Sequence, residues 1–132
     1  MAIEESLVGR SFPPTPPHQV TEASVADFAR AIGVDPAAGT PPTYPIVVTF
    51  TALEGFLAAE EFPLERVVHG DQGFTYTRPV VVGDELTATL AVTGVRTVRG
   101  MDIIKTTSEV TDASGALVCT ATATIIHRGE AA

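Results

Sequence analysis

The segment that follows Pro45 carries almost no charge. Residues 46–59 read IVVTFTALEGFLAA, in which Glu54 is the single charged side chain. Apolar side chains fall on nearly every side of such a helix, and a helix without a polar face is normally buried. At 1.5 Å per residue its length is about 21 Å. The sequence therefore predicts a central helix over residues 46–60 that other elements must enclose.

The hydrophobic pattern changes to the alternation of strands over residues 67–128. Val, Ile and Thr dominate this part of the chain, which is typical of β-structure. Turn signals at residues 79–84, 99–100 and 112–115 separate the runs, and strands joined so closely favour an antiparallel meander. The predicted strands are residues 73–78, 85–95, 101–111 and 116–127.

A strongly curved antiparallel sheet wrapped around the central helix is the economical way to bury that helix. This arrangement is the hot-dog fold, an α+β architecture, and we expect residues 1–132 to form a single domain of this kind. Threonine-rich faces and a small sheet further indicate that a second subunit covers part of it. In a homodimer, the strands that begin at Gly73 are expected to join into one continuous sheet.

The part of the chain before the central helix contains a stiff arm and a short helix. Four prolines at residues 11–17 favour an extended conformation, either as a docking arm for a partner or as an edge segment that leads into the first helix. Thr21 is a plausible N-cap, and Gly33 is a natural stop after the apolar positions of this amphipathic helix.

Charge and composition exclude several classes of function. The 132 residues carry a net charge of −8, without a basic stripe, which argues against nucleic-acid binding. Cys119 is the one cysteine, so neither an intrachain disulfide nor a Cys-rich zinc site is expected, and the histidines lack metal-ligand spacing. Neither a signal peptide, a membrane span nor a nucleotide-binding glycine motif is recognisable. We expect a cytoplasmic protein without metal or cofactor.

Three segments together resemble one known family. Residues 69–86, HGDQGFTYTRPVVVGDEL, are similar to a signature of MaoC-like dehydratase domains, and more narrowly of their N-terminal-type subunits, the HadA/HadC class. Asp71 stands where that signature usually has Glu. Residues 39–45, GTPPTYP, resemble the family's approach to the central helix, and residues 104–111, IKTTSEVT, also fit. The resemblance extends over about residues 5–128.

The resemblance implies binding of acyl thioesters, carried on acyl carrier protein or coenzyme A, and reversible loss of water from (R)-3-hydroxyacyl groups. Catalytic members carry an Asp and a His, spaced D-x-x-x-x-H, before the central helix, because one group must remove the α-proton while another assists the departing oxygen. Only five residues separate Asp35 from Pro41 here, and Thr40 stands where the His is required. The catalytic pair is therefore missing.

We accordingly predict the non-catalytic, channel-forming subunit of a (R)-3-hydroxyacyl-thioester dehydratase. Its partner is expected to be a MaoC-like chain that carries the catalytic pair, or a second copy of this chain. The thioester is predicted to approach the N-terminal end of the central helix, where a backbone N–H can stabilise the enolate oxygen. The predicted substrate contacts are Tyr44, Val47, Val48, Phe50, Phe56, Phe62 and His69.

The residues are also compatible with two other functions. A buried Glu54 would have a raised pKa and could serve a self-sufficient thioesterase or dehydratase. The chain could also be an acyl-thioester-binding scaffold. His69 either orients the start of its strand or takes part in catalysis, whereas His18 and His127 are expected at the surface. Cys119 is expected to be a small buried apolar residue.

Overall fold

A computed structural model describes residues 5–128 of the protein. Its five strands form one antiparallel sheet in the order β1-β3-β4-β5-β2, curled into a half-barrel around the central helix. The predicted hot-dog architecture is confirmed. The helices are α1 (Glu22–Ala31) and α2 (Ile46–Ala59), and the strands are β1 (His18–Gln19), β2 (Val67–Tyr76), β3 (Glu85–Val98), β4 (Met101–Thr111) and β5 (Leu117–Arg128). Short 3₁₀ turns cover Glu5–Leu7, Pro36–Ala38 and Leu64–Arg66.

Strands β3, β4 and β5 form the expected meander, but β2 does not pair with the next strand along the chain. A two-residue loop of Arg99 and Gly100, both at positive φ, joins β3 to β4, as a tight hairpin requires. β2 instead lies beside β5 at the far edge of the sheet. Residues 77–84 are too long for a tight hairpin and carry the chain from one edge of the sheet to the other, which corrects the predicted order.

The proline-rich arm covers the β3 edge of the sheet. The amide nitrogens of Gly9, Phe12 and Thr15 donate to β3 carbonyls at 2.8, 2.9 and 3.0 Å. Phe12 is buried, and its ring meets that of Phe56 edge-on at 5.0 Å between centroids. Of the two predicted roles, the edge segment is the one that the structure shows, because prolines fall between the residues that donate.

Helix α1 begins as the sequence predicts. The Thr21 hydroxyl accepts from the Ser24 amide at 3.0 Å, and the Ser24 hydroxyl accepts from the Thr21 amide at 3.1 Å. These reciprocal bonds satisfy two amides that a helix start leaves free. Gly33, two residues after the last helical residue, has a φ of +77°, which suits its predicted place after the helix end.

Helix α2 is buried on one side only, so the expectation of burial all round is wrong for the single chain. Val48, Ala52 and Phe56 pack into the core with the inner face of the sheet, whereas Phe50 is 47% exposed and Glu54 is exposed. A five-stranded half-barrel encloses one side of a helix and leaves the other uncovered. Cys119 is fully buried as expected, and burial raises the pKa of its thiol to about 11.

Candidate functional site

An apolar cleft of about 520 Å³ opens between the β2 edge of the sheet and the first turns of α2. We call it the edge cleft. Most of its wall is aromatic or aliphatic, and its polar groups cluster on β2, which is the composition expected of a small-molecule site. It is lined by Phe28, Ile32, Thr43, Ile46, Phe50, His69, Asp71, Gln72 and Phe74.

A β-bulge places the polar groups of this wall. The register of β2 against β5 shifts between His69 and Asp71, so His69 and Gln72 face the same side of the sheet, whereas Asp71 lies opposite Thr124. All three residues border the edge cleft. Gly70 occupies the bulge, where a Cβ would lie 3.3 Å from the Thr124 carbonyl oxygen. The His-Gly-Asp run of the sequence therefore has a structural basis, because a larger residue would crowd the neighbouring strand.

His69 carries a buried nitrogen without a protein partner. Its Nε2 atom is inaccessible and finds no hydrogen-bond partner among residues 5–128. The ring lies 5.7 Å from the half-exposed Phe50 ring, between centroids. A buried polar atom left unpaired is costly, so such an atom in a cleft wall indicates a group that a ligand or second chain would satisfy.

A second cleft of about 420 Å³ lies on the other side of the approach to α2. Thr40, Pro41 and Pro42 form one wall, and Tyr76 with Arg78 contributes to the other. The Tyr76 hydroxyl donates to the Pro42 carbonyl, and burial raises the pKa of that phenol to about 12. This hydrogen bond ties the end of β2 to the segment before α2.

Tyr44 anchors the approach to α2 from inside the protein. The ring is fully buried, and its hydroxyl lies 2.7 Å from His18 Nε2 and 2.8 Å from Ser24 Oγ. The polar end of the ring is therefore satisfied by β1 and α1. His18 was expected at the surface, but it is half-buried because it takes part in this contact.

The N-terminal turn of α2 offers no free amide in the positions predicted to meet a thioester. The amides of Ile46, Val47 and Val48 each donate to a carbonyl three residues earlier, at 3.0 to 3.1 Å. Proline at position 45 has no N–H to give. These four positions therefore lack an uncommitted donor for an enolate oxygen, which has to be stabilised from elsewhere.

The short bridge before α2 contains no group suited to proton transfer between carbon and oxygen at neutral pH. Asp35 is exposed, and its carboxylate accepts from the Ala37 amide at 2.9 Å, capping the 3₁₀ turn. Thr40, at the position where the resemblance requires His, lines the second cleft. The bridge therefore contributes to the surface beside α2 but supplies no catalytic group there.

Arg78 fixes the crossover that follows β2. Its guanidinium binds the Asp84 carboxylate at 2.8 and 3.0 Å and Asp112 at 3.1 Å. Bonds from the Ser114 hydroxyl and from Arg78 lower the pKa of Asp112 to about 2, and Arg78 also lowers that of Asp84. The Arg-Pro and Gly-Asp parts of the 69–86 segment thus form a structural clamp across two turns.

An Asp–His pair does exist in the described chain, although neither of its residues lines the edge cleft. Asp102 Oδ2 lies 3.0 Å from His127 Nδ1, and Asp102 Oδ1 accepts from the Thr97 hydroxyl at 2.9 Å. His127 is buried, so its predicted surface position is wrong: it faces the core from β5 and stacks on Phe62 at 4.4 Å. Phe62 follows the C-terminal end of α2, and His127 pairs with Val67, two residues before His69 on β2.

The seven predicted substrate contacts separate into three groups. Phe50 and His69 line the edge cleft. Tyr44, Val48 and Phe56 are core residues, while Val47 and Phe62 are half-buried against that core. The helical spacing from Ile46 to Phe50 could have indicated part of the remaining wall, but alternation along β2 could not, because the bulge interrupts it. Phe28 on α1 and Ile32 just after it carried no such signal, because only tertiary packing brings them there.

Glu54 does not have the environment that a catalytic role would require. The side chain is exposed and lies outside the edge cleft, one turn beyond Phe50. The expected burial is wrong because the sheet leaves this side of α2 uncovered. Within residues 5–128, no three His, Cys, Asp or Glu side chains are grouped as metal ligands would be. Neither described helix is long and apolar enough to cross a membrane.

Comparison with known proteins identifies a family that matches most of the chain. Residues 6–121 match the family described as "FAS1-like, dehydratase domain region". A UPF0336 protein of Leifsonia xyli subsp. xyli is 42% identical over 145 aligned positions, covering 97% of each chain. This alignment is longer than the 132 residues of the present chain, so the relative contains residues that are missing here.

Two solved structures share the fold over nearly the whole chain. A "MaoC-like dehydratase" superposes with a TM-score of 0.81 at 24% identity, covering 94% of this chain, which spans 43% of that longer protein. The HadBC (3R-hydroxyacyl-ACP dehydratase) complex from Mycobacterium tuberculosis superposes with a TM-score of 0.74 at 26% identity, covering 91% of this chain and 96% of the other.

Proposed function

The chain belongs to the FAS1-like dehydratase family and has its hot-dog fold, and from this premise we propose that it is the channel-forming subunit of a (R)-3-hydroxyacyl-thioester dehydratase. It pairs through β2 with a MaoC-like chain that carries the catalytic Asp and His. The acyl group is delivered on acyl carrier protein or coenzyme A and lies in the edge cleft.

The observation that carries this proposal is the edge cleft itself. It is apolar, it adjoins the start of α2, and it opens at the sheet edge where a second hot-dog chain would pair. An acyl chain gains about 0.8 kcal/mol per buried CH₂, so such a wall suits its tail. The bridge before α2 lacks a proton-transfer pair. The backbone amides in the first turn of α2 already donate to carbonyls. Binding without catalysis is what these features support.

The division of labour follows from the chemistry of dehydration. A base on the partner takes the proton from C2, the C2–C3 double bond forms, and the C3 oxygen leaves with a second proton as water. The present chain binds the acyl tail against Phe50 and the other walls of the edge cleft. This placement puts C2 and C3 at the interface between the two chains. Correct placement of the reacting atoms is worth a large part of the barrier.

Reconstitution tests the proposal directly. This chain is purified alone and with a MaoC-like chain that carries D-x-x-x-x-H, and hydration of crotonyl and longer 2-enoyl thioesters is measured. We expect no hydration by the single chain, hydration by the pair, and loss of it when the partner's His is changed to Ala. Robust hydration by this chain alone contradicts the non-catalytic assignment.

A matched pair of variants tests where the tail binds. Phe50→Ala removes an exposed wall residue of the edge cleft and should raise KM more for long than for short enoyl thioesters. Leu64→Ala removes a side chain that is more exposed still and lies outside the edge cleft, and should leave both KM values unchanged. Equal effects on short and long substrates would place the tail elsewhere.

The thioesterase alternative predicts a different variant phenotype. Under that alternative, Glu54→Gln abolishes thioester hydrolysis by the isolated chain. Under the present proposal the isolated chain has no hydrolysis to lose, because Glu54 is exposed and outside the edge cleft. Measurable hydrolysis of an acyl thioester by the wild-type chain that depends on Glu54 would favour the alternative.

A further inference from the structure

The uncovered side of α2 and the free edge of β2 form one continuous face, which we call the pairing face. Phe50 on α2 contacts His69 on β2, and both line the edge cleft with Asp71. Glu54 lies one helical turn after Phe50 and therefore points to the same side of α2. No other described strand pairs with the outer edge of β2. The surface is thus positioned to receive a second sheet edge.

The fixed charges of the pairing face have one sign. Glu54 and Asp71 are both exposed, and neither has an ion-pair partner among the described residues. Glu65 and Arg66, which precede β2 in the chain, carry charges of opposite sign. His69 is the other titratable side chain of the edge cleft wall. A partner therefore meets two carboxylates in an otherwise apolar surface.

Pairing of two copies would place the carboxylates of one copy close to the same carboxylates of the other. A two-fold interface applies the same patch to both subunits. Asp71 and Gln72 are the two central residues of the ten-residue strand β2, so an antiparallel self-pairing centred on the strand brings Asp71 next to its own counterpart. Glu54 is likewise close to the middle of α2. Like charges placed opposite one another oppose association.

We propose that Glu54 and Asp71 select the partner: they disfavour a homodimer and favour a different hot-dog chain that presents basic side chains to them. This inference rests on the proposed function, because it explains why the catalytic chain and not a second copy occupies the β2 edge. Charge at an interface acts mainly on specificity, by penalising the wrong partner. The apolar part of the face supplies the contact area for either partner.

Sedimentation equilibrium of the full chain tests the self-repulsion. We compare wild type with Glu54→Gln/Asp71→Asn at low and high salt. Neutralisation should tighten homodimerisation about tenfold at low salt, and high salt should tighten wild type by a similar factor, because salt screens exposed charges. The double variant should respond little to salt. All substitutions are at exposed positions, and thermal unfolding verifies that the variant is folded.

A control variant separates local from overall charge. Glu22→Gln/Glu109→Gln also removes two exposed negative charges but lies outside the pairing face, and it should leave the dimer constant within about twofold of wild type. A tight wild-type homodimer that ignores both salt and Glu54→Gln/Asp71→Asn overturns the proposal. An equal response of the two double variants also overturns it, since the effect would then belong to net charge.

The same substitutions should change the association of the heterodimer in the opposite direction. With the catalytic chain, Glu54→Gln/Asp71→Asn should weaken association several-fold while it strengthens self-association. Movement of both constants in the same direction contradicts partner selection. These constants are measured without substrate, so a pair that associates as expected but hydrates no thioester refutes the proposed function and leaves this inference standing.

Discussion

The two edges of the sheet are treated in opposite ways. Residues 9–20 form a series of backbone hydrogen bonds along β3, and Phe12 packs in the core beside Phe56. Along β2, no described strand pairs with the edge, and a cleft of about 520 Å³ remains open. An unprotected edge invites pairing, and proteins usually cover it. This contrast between the two edges fits the proposed pairing of β2 with another chain.

Two histidines show the same contrast at the level of single atoms. On the enclosed side, His127 is held by Asp102 at 3.0 Å and stacks on Phe62. At the open edge, His69 has a buried Nε2 atom for which residues 5–128 offer no partner. The enclosed pair is complete within the chain and therefore serves stability. The unpartnered Nε2 atom of His69 fits the proposed role of the edge cleft in binding.

The largest effect should come from the covered edge. Phe12→Ala removes a buried ring that packs on Phe56 and should lower the free energy of unfolding by about 3–5 kcal/mol, from lost burial and the cavity left behind. Phe50→Ala, at the open edge, should cost less than about 1 kcal/mol because half of the ring is already exposed. Denaturant unfolding measures both. Equal losses would mean that the two edges are equally closed.

Local signals were sufficient for most of the fold. The cap at Thr21, the Arg99–Gly100 hairpin and the alternation of β4 each depend on a few neighbouring residues, so they could be predicted from the sequence. The position of β2 beside β5 could not. It depends on a crossover of residues 77–84, and strand order is a property of the whole sheet that no local pattern specifies.

The candidate site was harder to predict than the fold. Phe50 and His69 were foreseen, but the exposure of Glu54 and the burial of His127 were not. An apolar helix predicts cover on all sides, yet the described chain leaves one side of α2 uncovered. A terminal His on a strand looks like a surface residue unless its cross-strand neighbour is known, and here that neighbour is Asp102.

A smaller loss of stability should follow from disrupting the enclosed pair. Asp102→Asn replaces the carboxyl group that contacts His127 Nδ1 and should cost about 1–3 kcal/mol of unfolding free energy. The variant, reconstituted with a catalytic partner, should keep its dehydratase activity because neither Asp102 nor His127 lines the edge cleft. Loss of activity in a folded Asp102→Asn protein would instead make this pair part of the site.

The Arg78 clamp should respond to acid in a defined pH range. The folded pKa of Asp112 is about 2, against an ordinary value of 3.8, and that of Asp84 is also lowered. Both carboxylates therefore stabilise the fold above about pH 4, and the contribution of Asp112 is lost as pH falls towards about 2. Arg78→Gln should be less stable than wild type at pH 7, by less than Asp102→Asn, and the difference should shrink over that range. A difference independent of pH would show that Arg78 acts through packing alone.

The smallest effect, and the one of opposite sign, should come from His69. His69→Leu removes the unpartnered Nε2 atom and should leave the unfolding free energy of the isolated chain unchanged or raise it by up to about 1 kcal/mol. His127→Leu is the matched control, and it should destabilise because it leaves Asp102 without its histidine partner. In the reconstituted pair the order of importance reverses: His69→Leu should impair thioester binding, since the group that satisfies Nε2 comes from the complex. A His69→Leu chain as unstable as His127→Leu would mean that the open edge is as self-sufficient as the covered one.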